Sequence, residues 1–155
     1  MENNRYILDA NVFLEYIYNR PLSNKSKEIL QDAILNHIQI IVPSLLLDEL
    51  TEVLCGNLED LEKVKHHLHY IEKLSKQEIL NIVVPDTEVR MKAIEIARTG
   101  HKKSGYPELT DSLYHALAIV NDGVFITNDT KHIMKVKKFG NIQELSKYVS
   151  LSDLN

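Results

Sequence analysis

Apolar residues fall along this chain in two alternating rhythms. Four short continuous runs read as buried strands: "RYIL" (5–8), "IQIIV" (38–42), "LNIVV" (80–84) and "GVFIT" (123–127). They are rich in β-branched residues, and two are closed by Pro43 and Pro85. Between them apolar positions recur every three to four residues, the period of an amphipathic helix. Residues 24–36 carry Ile29, Leu30, Ala33 and Ile34 on one stripe, and 44–55 follow Pro43 with Ser44 as N-cap. Residues 58–76 repeat Leu61, Val64, Leu68 and Ile71, and further helices are predicted over 87–98 and 109–121. Another begins near Asn11, and two short ones span 130–137 and 142–149. Strands alternating with helices imply right-handed crossovers and a parallel sheet covered on both faces. The predicted fold is a three-layer α/β/α sandwich around a parallel sheet of four to five strands. With no repeat or Pro/Gly-rich linker, residues 1–155 read as one domain.

In such sheets the site lies outside the carboxyl ends of the strands, where the strand order switches. That makes the acids at strand ends informative. In "YILDANVFLEY" (6–16) Asp9 follows the first strand directly, and in "FITNDTKHI" Asp129 follows the fourth in the same way. The two carboxylates meet if those strands are neighbours. Two more acids come from helices. In "PSLLLDELTEVL", a helical wheel built on Leu46, Leu50, Val53 and Leu54 turns Asp48 to solvent. It leaves Glu49 at the edge of the buried stripe, where a ligand belongs. In "YPELTDSLYHALAIV", Asp111 stands in the first helical turn after Pro107. Leu113, Leu117 and Val120 predict a buried stripe on the side away from it, but a first-turn residue can project past the helix end, and Ala118 suggests that a second face is covered.

Each acid also has a local reading. Asp9 and Asp129 are good helix caps, Asp111 suits a helix N-terminus, and Glu49 could be an ordinary surface acid. The functional reading rests on all four together. Clustered carboxylates repel unless a cation neutralises them, and oxygen-only ligand sets suit Mg²⁺ or Mn²⁺. One or two such ions could activate water and stabilise charge on a phosphate under in-line attack.

Composition narrows the picture. A net charge of −4 argues against a basic nucleic-acid coat protein but not against a nuclease, whose ligands are acidic. No apolar run approaches the roughly 18 residues of a membrane span and no leader is recognisable, so a cytoplasmic protein is expected. The lone Cys55 permits no internal disulfide and falls on an apolar stripe, which predicts a buried thiol. "HHLH" (66–69) offers His66 and His69 as a possible metal pair lacking a third ligand. Lys131, Lys135, Lys137 and Lys138 follow Asp129 and either form a solvated face or steer phosphate; Lys131 and Lys135 are the leading phosphate contacts. "HKK" (101–103) has the same two readings, in a loop framed by Gly100 and Gly105. No P-loop, GxGxxG, GxSxG or HExxH motif is present.

The pattern resembles the PIN domain family of metal-dependent nucleases over roughly residues 5 to 138. "ILDANVFL" resembles its opening motif, and "IVPSLLLDELTEVL" is similar to its second, in which Glu49 supplies a ligand. "TDSLYHALAI" looks like the third, with Asp111 as the acid, and "GVFITNDTKHI" like the fourth, where Thr127 precedes Asp129. The resemblance implies an α/β/α fold, Mg²⁺ or Mn²⁺ dependence, an RNA substrate, homodimers, and an antitoxin partner. Ser112 stands where the third motif more often has an apolar residue, and 56–80 is long and charged.

The leading expectation is an endoribonuclease. Asp9, Glu49, Asp111 and Asp129 would hold the metal, Asn11 and Thr127 would orient ligands or water, and Lys131 and Lys135 would hold phosphate. Two alternatives stand beside it. One is phosphoaspartyl transfer with Asp9 as nucleophile, although "DAN" replaces the usual Asp-x-Asp. The other is a vestigial acidic pocket in a protein that acts through protein contacts.

Overall fold

A computed structural model describes residues 4–100 and 105–154; "HKK" (101–103) lies outside the described residues. Five strands form one parallel sheet: β1 (Arg5–Leu8), β2 (Gln39–Pro43), β3 (Leu80–Val83), β4 (Val124–Thr127) and β5 (Ile142–Glu144). Their order is β3-β2-β1-β4-β5. The chain builds outward from β1 to β2 and β3, then returns to add β4 on the other side. β1 and β4 are therefore neighbours, in register Tyr6↔Val124, Ile7↔Phe125 and Leu8↔Ile126. A Cβ at Gly123 would meet the Arg5 carbonyl oxygen at 2.8 Å, so the entry into β4 requires glycine.

Helices cover both faces. On one, α5 (Thr87–Ala97) packs along α6 (Leu109–Val120), which lies across β1, β2 and β4. On the other, α1 (Ala10–Ile17) packs on β1, β4 and α2 (Ser23–Ile34), and its Tyr16 stacks on Tyr70 of α4 (Leu61–Lys76). α3 (Leu45–Gly56) leads from β2 into α4, and α7 (Thr130–Val136) packs beside β5. The core is the interior of this sandwich: Ile7, Leu8, Ile40, Val42, Phe125 and Ile126 of the sheet are covered by Phe13, Ile29, Leu50, Ala93 and Tyr114.

Several sequence expectations need correction. Residues 142–149 are not a helix. They form the edge strand β5 and a 3₁₀ turn, Leu145–Lys147. The apolar spacing Ile142, Leu145, Tyr148 is three, which is also the 3₁₀ period. Cys55 is exposed, because it lies one residue past the buried Leu54 and therefore turns off the stripe. Ile34 is exposed for the same reason, next to buried Ala33. In α4 only Ile71 and Leu74 are buried, since its first turns extend beyond the sheet and leave Leu61 exposed. Ser44 occupies the N-cap of α3 but makes no side-chain capping bond.

Candidate active site

Asp9 ends β1 and begins α1. Its Oδ1 accepts the Val12 N–H at 3.2 Å, so it is indeed an N-cap. Its Oδ2 has another partner, the Thr127 hydroxyl at the end of β4, 2.6 Å away. Thr127 in turn accepts the Asp129 N–H at 3.1 Å, and Asp129 caps α7 by accepting the His132 N–H at 3.1 Å. The carboxyl ends of two adjacent strands thus carry two acids joined through one hydroxyl. Asp9 is only 4% exposed, and burial pushes its carboxyl up to about 6. The Glu49 charge adds to the rise, while the bonds from Thr127 and from the backbone of Val12 and Asn11 oppose it.

Asp111 lies in the first turn of α6 and is half-buried. The burial of α6 goes beyond the apolar stripe on the far side and includes the second face that Ala118 suggested. Ser112, Tyr114, His115, Ala116, Leu117 and Ala118 are all buried, so α6 is enclosed on most sides and Asp111 sits at its open end. Burial pushes the Asp111 carboxyl up to about 7, aided by the charges of Asp9, Asp129, Glu108 and Glu49. All four predicted acids therefore share one electrostatic neighbourhood. Glu49 is partly buried at the edge of α3 while Asp48 faces solvent, as the wheel predicted. Its carboxyl is also raised, by burial and by Glu52 and Glu108, against a hydrogen bond from the Tyr114 hydroxyl at 2.6 Å.

Among the described residues no three ligating side chains enclose a point that an ion could fill as they stand. The fit to a cation rests on the donor chemistry. The acids offer oxygen only; burial raises the Asp9 and Asp111 carboxyls first, and the neighbouring carboxylates that add to the rise at Asp111 are like charges that a hard divalent cation would offset. Asn11 is exposed on the first turn of α1 and meets Asp9 through its backbone. Lys131 and Lys135 are exposed on α7, and Lys135 Nζ lies 3.5 Å from the Cβ position of Gly105. Lys138 lies over the Phe139 ring at 5.5 Å. His66 and His69 diverge: His66 borders a groove with Tyr16 and Tyr70, and His69 borders another with Glu72 and Lys76.

Sequence reasoning missed two supporting residues. Tyr114 anchors Glu49. Glu15, 6% exposed, accepts the Leu22 N–H at 2.9 Å and the Asn128 side-chain amide at 3.2 Å, tying α1 to the loop before Asp129. The signal for Glu15 was present: it is the one charged residue in "ANVFLEYI", and a buried charge requires partners.

The PIN domain family model matches residues 6–138. No curated protein sequence matches the chain. Among solved structures, VapBC2 from Rickettsia felis bound to a DNA fragment from its promoter is similar with TM-score 0.70 and 18% identity, over 90% of this chain and 98% of that one. VapBC-1 from nontypeable Haemophilus influenzae is similar with TM-score 0.66 and 18% identity, over 92% and 99%. A structure from Pyrobaculum aerophilum has TM-score 0.56 and 14% identity, over 92% and 90%.

Proposed function

The chain belongs to the PIN domain family, and on that premise we propose that it is a divalent-metal-dependent endoribonuclease, the toxin of a toxin–antitoxin pair. The observation that carries the nuclease reading is the Asp111 carboxyl, raised to about 7 beside Asp9, Asp129 and Glu49 at the junction of β1 and β4. Structural ion-pair networks also shift carboxyls, but here the charges that add to the effect of burial, those of Asp9, Asp129, Glu108 and Glu49, all have the same sign. A fold held together for stability alone has no use for such an arrangement. The toxin reading draws on the likeness in fold to the two VapBC assemblies. An RNA substrate, a cognate antitoxin, a homodimer and a cytoplasmic location belong to the same proposal; no helix among the described residues is long and apolar enough to cross a membrane.

Asp9, Glu49, Asp111 and Asp129 would hold one or two Mg²⁺ or Mn²⁺ ions. Such a cation supplies Lewis acidity, which makes water a competent nucleophile near neutral pH and stabilises charge on the attacked phosphate. The chain's residues supply orientation. Thr127 fixes one oxygen of Asp9 and the backbone of Asp129. Asn11, exposed beside Asp9, is available to orient water or RNA. Lys131 and Lys135 hold flanking phosphates from α7, where side chains of a mobile, solvated kind suit a sliding polyanion. A phosphoaspartyl mechanism is disfavoured, because "DAN" stands where such enzymes carry Asp-x-Asp.

The test is incubation of purified protein with structured RNAs, with Mn²⁺ or with EDTA. Wild type with Mn²⁺ cuts; EDTA or Asp9→Asn stops it. Equal cutting by wild type and Asp9→Asn would refute the assignment.

A further inference from the structure

Tyr114 is fully buried, and its ring stacks on Phe125 of β4 with centroids 5.7 Å apart and planes 11° from parallel. Phe125 is itself paired in register with Ile7 of β1. The sheet therefore fixes where the phenol points. Its hydroxyl donates to Glu49 Oε1 at 2.6 Å, across 65 positions of sequence. Glu49 needs such a partner. It is a flexible side chain at the edge of α3, and the charges of Glu52 and Glu108 repel it. Tyr114 also lies three residues after Asp111, so the two share one face of α6. One helix thus carries an acid of the site and the group that orients another.

We propose that Tyr114 is a positioning residue: its hydroxyl commits Oε1 of Glu49, so that Glu49 presents a single oxygen to a bound cation. The proposal rests on the metal-site reading above. It concerns Tyr114 itself, a residue whose hydroxyl neither the sequence pattern nor the caps of the fold require.

The experiment uses the full chain as wild type, Tyr114→Phe, Glu49→Gln, their double variant and Asp9→Asn. Unfolding is followed without metal, and Mn²⁺ binding is measured by calorimetry and by Mn²⁺-induced shift in Tm. Tyr114→Phe removes only the hydroxyl. Without metal, the stability effects of Tyr114→Phe and Glu49→Gln are coupled, the double variant departing from the sum of the two. With Mn²⁺, Tyr114→Phe weakens binding by roughly tenfold, as expected for loss of an outer partner that orients a ligand. The double variant binds no worse than Glu49→Gln, because the hydroxyl acts only through Glu49. Should the Phe variant not fold, Tyr114→Leu replaces it: it also lacks the hydroxyl and leaves the Glu49 side chain unchanged. The proposal is overturned if Tyr114→Phe, or Tyr114→Leu in its place, binds Mn²⁺ like wild type while Asp9→Asn does not. Full additivity of the two effects overturns it as well. If wild type and Asp9→Asn show no Mn²⁺ response at all, the metal-site reading fails and this proposal fails with it.

Discussion

Thr127 Oγ1 donates to Asp9 Oδ2 at 2.6 Å, and this single bond spans two neighbouring strands that are 118 residues apart in sequence. The same oxygen accepts the Asp129 N–H at 3.1 Å. Position 127 therefore needs both a donor and an acceptor, which only a hydroxyl combines at this size. Thr127→Val should leave Asp9 without its donor and the Asp129 N–H without its acceptor. The expected loss is about 1–3 kcal/mol of stability at pH 8. Thr127→Ser should cost less than about 1 kcal/mol, a difference read by denaturant unfolding. Equal stability of the two variants would remove the bridge from the account.

Asp9 tests the cost of the acidic cluster. Its folded-state carboxyl lies at about 6 against an ordinary 3.8. A raised carboxyl favours the protonated form in the folded protein, so ionisation costs stability increasingly from about pH 4 to 6 and fully above. Asp9→Asn keeps a good N-cap and removes the charge. Without metal at pH 8 it should be more stable than wild type by up to about 3 kcal/mol. The gain should vanish near pH 4. Loss of stability at pH 8 would mean that the charge is already compensated.

Cation binding must displace protons from the same carboxyls. Asp9 and Asp111 release theirs near 6 and 7. At subsaturating Mn²⁺, cleavage should therefore rise between about pH 5.5 and 7.5 and then level. Raising Mn²⁺ should move the rise to lower pH. A flat profile over that window would show that neither carboxyl limits the reaction.

A second acid, Asp32, ties the end of the chain to α2. It is fully buried and accepts from the Ser150 hydroxyl at 2.8 Å, the Tyr148 hydroxyl at 2.5 Å and the Leu151 N–H at 3.2 Å. Hydrogen bonds from Tyr148, Ser150 and Leu151 hold its carboxyl below the usual value despite burial. Its contribution is present above pH 3.8 and is lost as pH falls through the lowered value. His132 acts earlier: burial lowers its ring to about 4, so below about 6.5 the unfolded chain takes up a proton that the folded one refuses. Tyr148→Phe should cost about 1.5–3 kcal/mol at pH 7, a hydrogen bond to a buried charge. The deficit should shrink in acid, as pH denaturation curves of the two proteins would record.

The strands and most helices were legible because continuous apolar runs and three-to-four spacing are properties of the sequence itself. Asp9 and Asp129 were legible as acids just past strand ends, Asp9 one residue after β1 and Asp129 two after β4, and the sheet makes those two strands neighbours. Glu49 was separated from Asp48 by helix angle alone. Misreadings arose where tertiary context decides. Ile142, Leu145 and Tyr148 satisfy a helical spacing, but pairing with β4 made the first part a strand. Cys55 turns off the stripe that Leu54 continues, and Leu61 lies in the first turn of a helix that runs past the sheet. Tyr114 and Glu15 act through partners 65 and 113 residues away, a distance that periodicity does not encode.

The central claim is that four carboxylates from β1, α3, α6 and the end of β4 act as one cation site. Calorimetric titration of Mn²⁺ into wild type, Asp9→Asn, Glu49→Gln, Asp111→Asn and Asp129→Asn tests it most directly. The account predicts saturable binding by wild type and at least about tenfold weaker binding by each variant. Binding that survives unchanged in all four variants would contradict it.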